Sequence, residues 1–194
     1  MFNRQPMWQK LTFRLLSIYY RIFGRRNKCD DVMPPIVKYL VDEAVSLYNN
    51  AVSNQNPRAY KDITLCKSLP KDFENKGWKV EHPGADKWVA IKGDVVAKWL
   101  GRCSWSENAI KDELEIHRVL IEKGFEMYRP KLYANFDEQF LVEQRADNPG
   151  FKSEVYDIKK ELYAAGIEVI DICGNVGELN GTIKIFDGKL ELYE

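Results

Sequence analysis

The sequence contains few residues of the types that build disulfide frameworks and metal centres. It has 4 cysteines and 2 histidines among 194 residues, and no cysteines are spaced as Cys-x-x-Cys. A disulfide scaffold or a structural zinc site is therefore not expected, and we expect a reducing, cytoplasmic setting. Long uninterrupted apolar runs are also lacking, which argues against a polytopic membrane protein. With 45% hydrophobic and 30% charged residues, the chain fits one globular domain, with or without an appendage.

The whole chain has no excess charge of either sign, but its parts do. The 29 Lys and Arg residues balance 29 Asp and Glu residues. Seven of the basic residues fall within residues 1–29, which hold no acidic residue, so the remainder carries 22 basic and 29 acidic side chains. The sequence therefore predicts a basic N-terminal segment followed by an acidic body.

Residues 8–23 have apolar side chains at helical spacing, with Arg14 and Arg21 on a narrow polar stripe. These charges argue against a signal peptide and against a membrane-spanning helix. Two interpretations stay open: a helix docked on this chain or on a partner protein, or a helix on an anionic membrane surface that makes the protein peripheral at a membrane. Nucleic acid is not an expected partner, because the basic residues form no second patch in the sequence.

The pattern after Pro35 predicts one amphipathic helix and then a small sheet. The helix is expected over residues 36–51, and the following stretch to residue 75, with Pro57 and Pro70 as breakers, predicts a connecting loop with room for one short helix. Strands are expected at 78–82, 88–91, 95–100, 131–136 and 140–145. A helix that Ser104 or Ser106 would cap separates the third strand from the fourth, and Gly124 would end it.

The C-terminal part predicts a linker, a helix and a hairpin. Residues 147–150 have linker composition, and Ser153 would cap a helix that ends at Gly166. The dipeptide Asn180-Gly181 is a strong two-residue hairpin signal between strands at 176–179 and 182–186.

Five segments carry polar residues that together indicate one kind of fold. They are strand 95–100 with Lys98, the helix that places Glu113 on its apolar face, residues 140–146, residues 166–175 with Asp171 and Asn175, and residues 180–188 with Asp187. A carboxylate on an apolar helix face needs a partner, because a buried unpaired charge is costly. Together with the order of elements, these segments resemble the protein kinase-like fold, including small bacterial and phage kinases, over about residues 77–188.

The resemblance implies an α+β fold with a five-stranded antiparallel N-lobe sheet, one helix, a truncated C-lobe and extra N-terminal helices. The expected domains are an N-terminal helical extension (1–76), the N-lobe (77–146) and the truncated C-lobe (147–194). The helices at 8–23 and 36–51 are expected to support the C-lobe in place of the activation segment and helices that follow in a full kinase.

The resemblance also implies binding of ATP with Mg²⁺ and transfer of a phosphoryl group to a hydroxyl. Lys98 would hold the phosphates and pair with Glu113, Asn175 and Asp187 would bind the metal, and Asp171 would face the acceptor hydroxyl. The acceptor is expected to be a small molecule or a docked partner protein.

The same resemblance assigns the adenine pocket to the last strand of the sheet. Val142 would border the adenine, and backbone groups of Glu143 and Arg145 would bind its edge. The tetrapeptide ending at Lys92 spells the familiar kinase motif Val-Ala-Ile-Lys, but a turn follows it directly, so Lys98 is the predicted lysine.

Several departures from the kinase pattern keep a second function open. Val169 and Ile170 replace a His and its polar neighbour, the interval from Asp171 to Asn175 is one residue short, and Gly84 is the one glycine between the first two strands. The alternatives are a minimal phosphotransferase, a catalytically inactive kinase-like protein that binds a partner protein, and an unrelated α+β domain.

Overall fold

The structure is a computed structural model that describes residues 33–53, 65–82, 87–100, 108–136, 138–147, 154–170, 172 and 175–192. The predicted basic helix at 8–23 and the predicted catalytic Asp171 lie outside these residues. No helix in the described part has the length and apolar character needed to cross a bilayer.

A five-stranded antiparallel sheet forms the centre of the fold. Its strands are β1 (Lys79–Glu81), β2 (Lys87–Lys92), β3 (Val95–Leu100), β4 (Leu132–Phe136) and β5 (Phe140–Gln144), in the order β1-β2-β3-β5-β4. The predicted α+β class and the predicted five-stranded antiparallel sheet are confirmed. Successive side chains of a strand point to opposite faces, so Lys98 and Trp99 of β3 define two different sides of the sheet. We call them the charged face and the aromatic face.

Helices α1 (Pro35–Ser53) and α2 (Leu65–Asn75) cover the aromatic face. The ring of Tyr48 in α1 stacks on Phe140 with centroids 4.4 Å apart, and Phe73 in α2 stacks on Trp99 at 5.0 Å. Helix α1 therefore supports the sheet and not the C-terminal segment, which lies on the charged face, contrary to the expectation for residues 36–51.

Helix α2 is the short helix for which the prediction over residues 53–75 left room, but the prediction that Pro70 is a breaker is wrong, because Pro70 lies inside the helix. Proline within a helix removes one backbone hydrogen bond. Leu69 and Phe73 on either side of it are fully buried against the sheet. The burial of these two side chains is worth several kcal/mol, on the order of 2 kcal/mol each, which offsets the lost hydrogen bond.

Helix α3 (Ala109–Glu122) packs on the charged face. The structure describes neither Ser104 nor Ser106, and Asn108 at the start of the helix makes no side-chain capping bond. Ile121 near the end of the helix is 49% exposed, so it lies outside the buried side. The residues that α3 buries are Ile110, Glu113, Ile116, Val119 and Leu120. Gly124 follows with a φ of 80°, the left-handed conformation expected at a helix end.

The C-terminal part contains α4 (Glu154–Ala164) and two strand pairs. Strands β7 (Val176–Leu179) and β8 (Thr182–Ile185) form the predicted hairpin, and Asn180 and Gly181 between them have φ values of 52° and 77°, as a type I′ turn requires.

The second pair, β6 (Ile167–Ile170) with β9 (Lys189–Leu192), is not predicted by the sequence. At Gly188, which leads into β9, an added Cβ would lie 2.9 Å from the Ile170 carbonyl oxygen. The close approach of the two strands therefore requires glycine at this position.

One apolar core joins α3 to the C-terminal elements. It contains Ile116, Val119, Leu120, Val155, Ile158, Leu162, Ile167, Val169, Ile172, Val176, Ile183 and Ile185. This core fixes the segment around residues 175–188 against the charged face of the sheet.

Candidate functional site

Lys98 lies at the centre of a buried cluster on the charged face. Its Nζ is 2.6 Å from Glu113 Oε1 and 2.6 Å from Glu143 Oε1, and it donates to the carbonyl oxygen of Phe186 at 2.8 Å. The expected pairing of Lys98 with Glu113 is therefore present. Because an ammonium group has three N–H donors, these three acceptors use all of them.

Three structural elements bring these groups together. In the register of the sheet, Lys98 of β3 pairs with Leu141 and Val96 pairs with Glu143 of β5, so Lys98 and Glu143 share a face. Glu113 approaches from α3, one turn before the buried Ile116 and about two turns before the buried Leu120. The segment that follows β8 brings the Phe186 carbonyl from the C-terminal side.

Lys87 is a second buried lysine in the cluster, and the sequence analysis missed it. Its Nζ is 2.8 Å from Glu113 Oε2 and 2.5 Å from Asp187 Oδ1. Lys87 lies two residues before Val89, which pairs with Lys98, so the alternation of β2 places both lysines on one face. The sequence could have shown this only with β2 extended by one residue and its register with β3 known. The tetrapeptide at 89–92 ends at Lys92, whose side chain lies on the other face of the same strand.

Arg129, which follows a short 3₁₀ helix (Glu126–Tyr128), is the third buried cation. It donates from Nη1 to the carbonyl oxygen of Ile185 at 2.5 Å and from Nε to Nδ1 of His117 at 3.2 Å. Its Nη2 lies 3.7 Å from Glu113 Oε1 and 3.9 Å from Glu143 Oε2. Arg129 therefore joins α3 to strand β8 and compensates charge at both glutamates.

The pKa values of the two buried glutamates shift in opposite directions. Burial disfavours the charge of Glu113, but Lys98, Lys87 and Arg129 outweigh it and lower its pKa to about 2. Burial raises the pKa of Glu143 above its ordinary value and the neighbouring Glu113 adds to the rise, while Lys98 and Arg129 only partly oppose it. Glu143 Oε2 makes no hydrogen bond among the described residues. Glu113 is thus the firmly ionised carboxylate of the cluster.

The charges also act on the pKa of the two bases nearest to them. Burial lowers the pKa of Lys98, but Glu113 and Glu143 more than offset this and raise it above its ordinary value. Burial and the nearby Arg129 lower the pKa of His117 to about 4. A neutral His117 can accept the hydrogen bond from Arg129, so it serves as a packed helix residue.

Asp187 is the member of the cluster that reaches the surface. Its side chain is 33% exposed, whereas that of Lys87 is 8% exposed and that of Glu113 is fully buried. Besides Lys87, its Oδ1 accepts a hydrogen bond from the backbone N–H of Gly188 at 2.8 Å. Asn175 lies beside it in the chain path, since the N–H of Phe186 donates to the Asn175 carbonyl at 3.0 Å.

Val142 and Arg145 make no hydrogen bond or ion pair with the side chains of the cluster among the described residues. Val142 pairs with Ala97 and lies on the aromatic face, so the sheet separates it from Lys98, with which the sequence analysis had grouped it. The N–H of Arg145 donates to the carbonyl of Asp94 at 2.9 Å. The adenine-edge roles of Glu143 and Arg145 stay predictions, as do the roles of Asn175 and Asp187 in metal binding.

The carboxylate of Asp187 is a type of ligand that fits Mg²⁺. The metal prefers oxygen ligands, usually one or two carboxylates completed by phosphates and water. Asp187 supplies a carboxylate, and the backbone carbonyl of Asn175 accepts the N–H of Phe186, the residue before Asp187. Within the described ranges, no group of three or more His, Cys, Asp or Glu side chains could hold an ion on its own.

No protein-family model matches the chain, and no curated protein or solved structure is significantly similar to it. The kinase resemblance therefore depends on the residues of this chain and on their arrangement.

Proposed function

We propose that this chain is a minimal kinase-like phosphotransferase that uses ATP and Mg²⁺ to phosphorylate a hydroxyl group. The supporting observation is a line of alternating charges that begins at the exposed Asp187 and continues inward through Lys87, Glu113 and Lys98 to Glu143. These groups come from β2, β3, β5, α3 and the segment after β8, as the kinase resemblance implies for the residues it shares.

The proposal gives each group a task. Asp187 and Asn175 would hold Mg²⁺, which neutralises phosphate charge when it is bound. The buried cations of the cluster would stabilise the charge on the phosphates. The pair of Lys98 and Glu113 fixes α3 against the sheet, so that positioning and charge stabilisation carry the catalysis.

The transfer step involves no redox change. The acceptor oxygen forms a bond to the γ-phosphorus while the bond from that phosphorus to the β–γ bridging oxygen breaks. The hydroxyl proton passes to the carboxylate of Asp171, and ADP leaves with the bridging oxygen. The assignment of Asp171 is supported by the sequence resemblance.

A thermal titration of the full chain with ATP, with and without Mg²⁺, tests this function. At about one hundred times Kd, binding to the folded state adds about 2.7 kcal/mol to the free energy of unfolding, so the melting temperature rises. We expect a Mg²⁺-dependent rise that Asp187→Ala abolishes. Asp171→Ala should keep the rise but lose ATP turnover, and Asp157→Ala on the exposed face of α4 should change neither.

A catalytically inactive, partner-binding protein is the second candidate, and the saturation of Lys98 favours it. A phosphate cannot bind to an ammonium group whose three donors are already used. A nucleotide-dependent rise in melting temperature without turnover would support this second function. No rise at any nucleotide concentration would count against the phosphotransferase.

A further inference from the structure

We propose that Lys87, and not Lys98, is the lysine that contacts the nucleotide phosphates. The inference rests on the proposed function and changes the assignment of one of its central residues. Lys98 then has a structural role, because it holds the groups of the cluster together in its interior.

The two lysines differ in how many of their N–H donors already have an acceptor. Lys98 donates to Glu113, Glu143 and the Phe186 carbonyl, all within 2.8 Å, so no N–H remains for a ligand. Lys87 contacts Glu113 and Asp187, and its third N–H has no partner among the described residues. A phosphate oxygen can therefore bind Lys87 without displacing an existing contact.

The order of the charges from the surface inward gives the same assignment. Asp187 is 33% exposed and touches Lys87 directly. Glu113, which is fully buried, lies between Lys87 and Lys98 and contacts both. Asp187 contacts Lys87 directly, whereas its side chain is linked to Lys98 through Lys87 and Glu113. The metal and the phosphates of one nucleotide must lie side by side, and Asp187 and Lys87 are the adjacent pair.

The position of Lys87 in the chain provides a third argument. It is the first residue of β2 and follows the connection from β1, which contains a single glycine, Gly84. A connection with one glycine lacks the composition of a glycine-rich phosphate-binding loop. A lysine at the end of the same connection supplies the missing attraction as a point charge.

Lys98 has a different task in this assignment. It links β3 to α3 through Glu113, to β5 through Glu143 and to the C-terminal segment through Phe186. These contacts hold in place the segment that presents Asp187. Loss of Lys98 should therefore lower stability more than it lowers nucleotide affinity in the protein that remains folded.

Calorimetric titration of full-length variants with ADP and Mg²⁺, well below each melting temperature, tests the assignment. Because a charge-assisted contact to phosphate is strong, we expect Lys87→Met to weaken binding at least about tenfold and Lys87→Arg to restore it to within about threefold. Lys98→Met should lower the melting temperature and stay within about threefold of the wild-type Kd. Lys92→Met is the matched control, since Lys92 lies on the same strand, pairs with Glu43 on the aromatic face, and should leave Kd unchanged.

A measurement on the wild-type chain covers the case in which a variant does not fold. Acetylation by acetic anhydride, quantified for each lysine by mass spectrometry, should fall at Lys87 when ADP and Mg²⁺ are added and stay constant at Lys98. Protection confined to Lys98, or a loss of affinity in Lys98→Met but not in Lys87→Met, would overturn the assignment and leave the proposed function intact. A wild-type chain that binds no nucleotide would overturn both.

Discussion

The two faces of the five-stranded sheet are both covered by protein, but with opposite chemistry. On the aromatic face, Phe73 stacks on Trp99 and Tyr48 stacks on Phe140. On the charged face, the same strands β3 and β5 carry the buried Lys98 and Glu143. A single alternating strand thus supplies aromatic packing on one side and ionic contacts on the other.

The difference indicates what each face contributes. Buried aromatic area stabilises a fold directly. Buried ion pairs add little net stability, because desolvation offsets most of the attraction between the charges. A stabilising interior alone would therefore not require the ionic contacts of the charged face. The aromatic face can then compensate for a charged face of low net stability.

Removal of an aromatic ring from the first face should have the largest effect. Phe73→Ala should lower the free energy of unfolding by about 4 kcal/mol, because the fully buried ring leaves a cavity beneath Trp99. Chemical denaturation measures this loss. Nucleotide affinity, measured where the variant is still folded, should stay at the wild-type value. A loss below about 1 kcal/mol would show that this face does not carry the stability assigned to it.

Removal of the central carboxylate from the second face should have the next largest effect. Glu113→Gln should cost about 3 kcal/mol, because Lys98 and Lys87 lose their shared counter-charge while both stay buried. Unlike Phe73→Ala, it should also weaken nucleotide binding. The exposed Glu122→Gln on the same helix is the control, with a change below about 0.5 kcal/mol.

Acid should reduce the difference between wild type and Glu113→Gln. Since the pKa of Glu113 is lowered to about 2 in the folded protein, its contribution is fully present above its ordinary pKa of 4.5 and is lost as pH falls toward 2. Denaturation curves of both proteins between pH 6 and pH 3 measure this. If the difference stayed constant down to pH 3, proton binding at Glu113 would not be linked to folding.

Substitution of the other buried glutamate should have the smallest effect. The pKa of Glu143 is raised, mainly by burial, so folding disfavours its ionised form. Glu143→Gln should therefore change the free energy of unfolding by less than about 1 kcal/mol at pH 7. The contribution of the protonated acid is lost as pH rises through its folded pKa, so the balance should shift toward the variant with rising pH. A loss as large as that for Glu113→Gln would contradict the distinction between the two glutamates.

The sequence predicted those parts of the fold that local chemistry specifies. Alternating runs and turn residues indicated the sheet, and Asn180 and Gly181 specified the hairpin between β7 and β8. The inward position of Glu113 also followed from helical spacing. These features depend on neighbours within a few residues of one another.

The features that were missed depend on contacts distant in the chain. Strands β6 and β9 are four residues each, and the fold of the C-terminal part between them brings them together. Helix α2 forms around Pro70 because tertiary burial overrides the local preference. Lys87 lies just outside the strand predicted at 88–91, and its position on the face of Lys98 follows from the register of β2 with β3.

A crystal structure of the full chain with Mg²⁺ and a non-hydrolysable ATP analogue tests the central claim most directly. The account predicts the phosphates on the charged face, with an oxygen within hydrogen-bonding distance of Lys87 Nζ and the metal on Asp187. A nucleotide bound on another surface, with the contact between Lys87 and Asp187 unchanged, would contradict it.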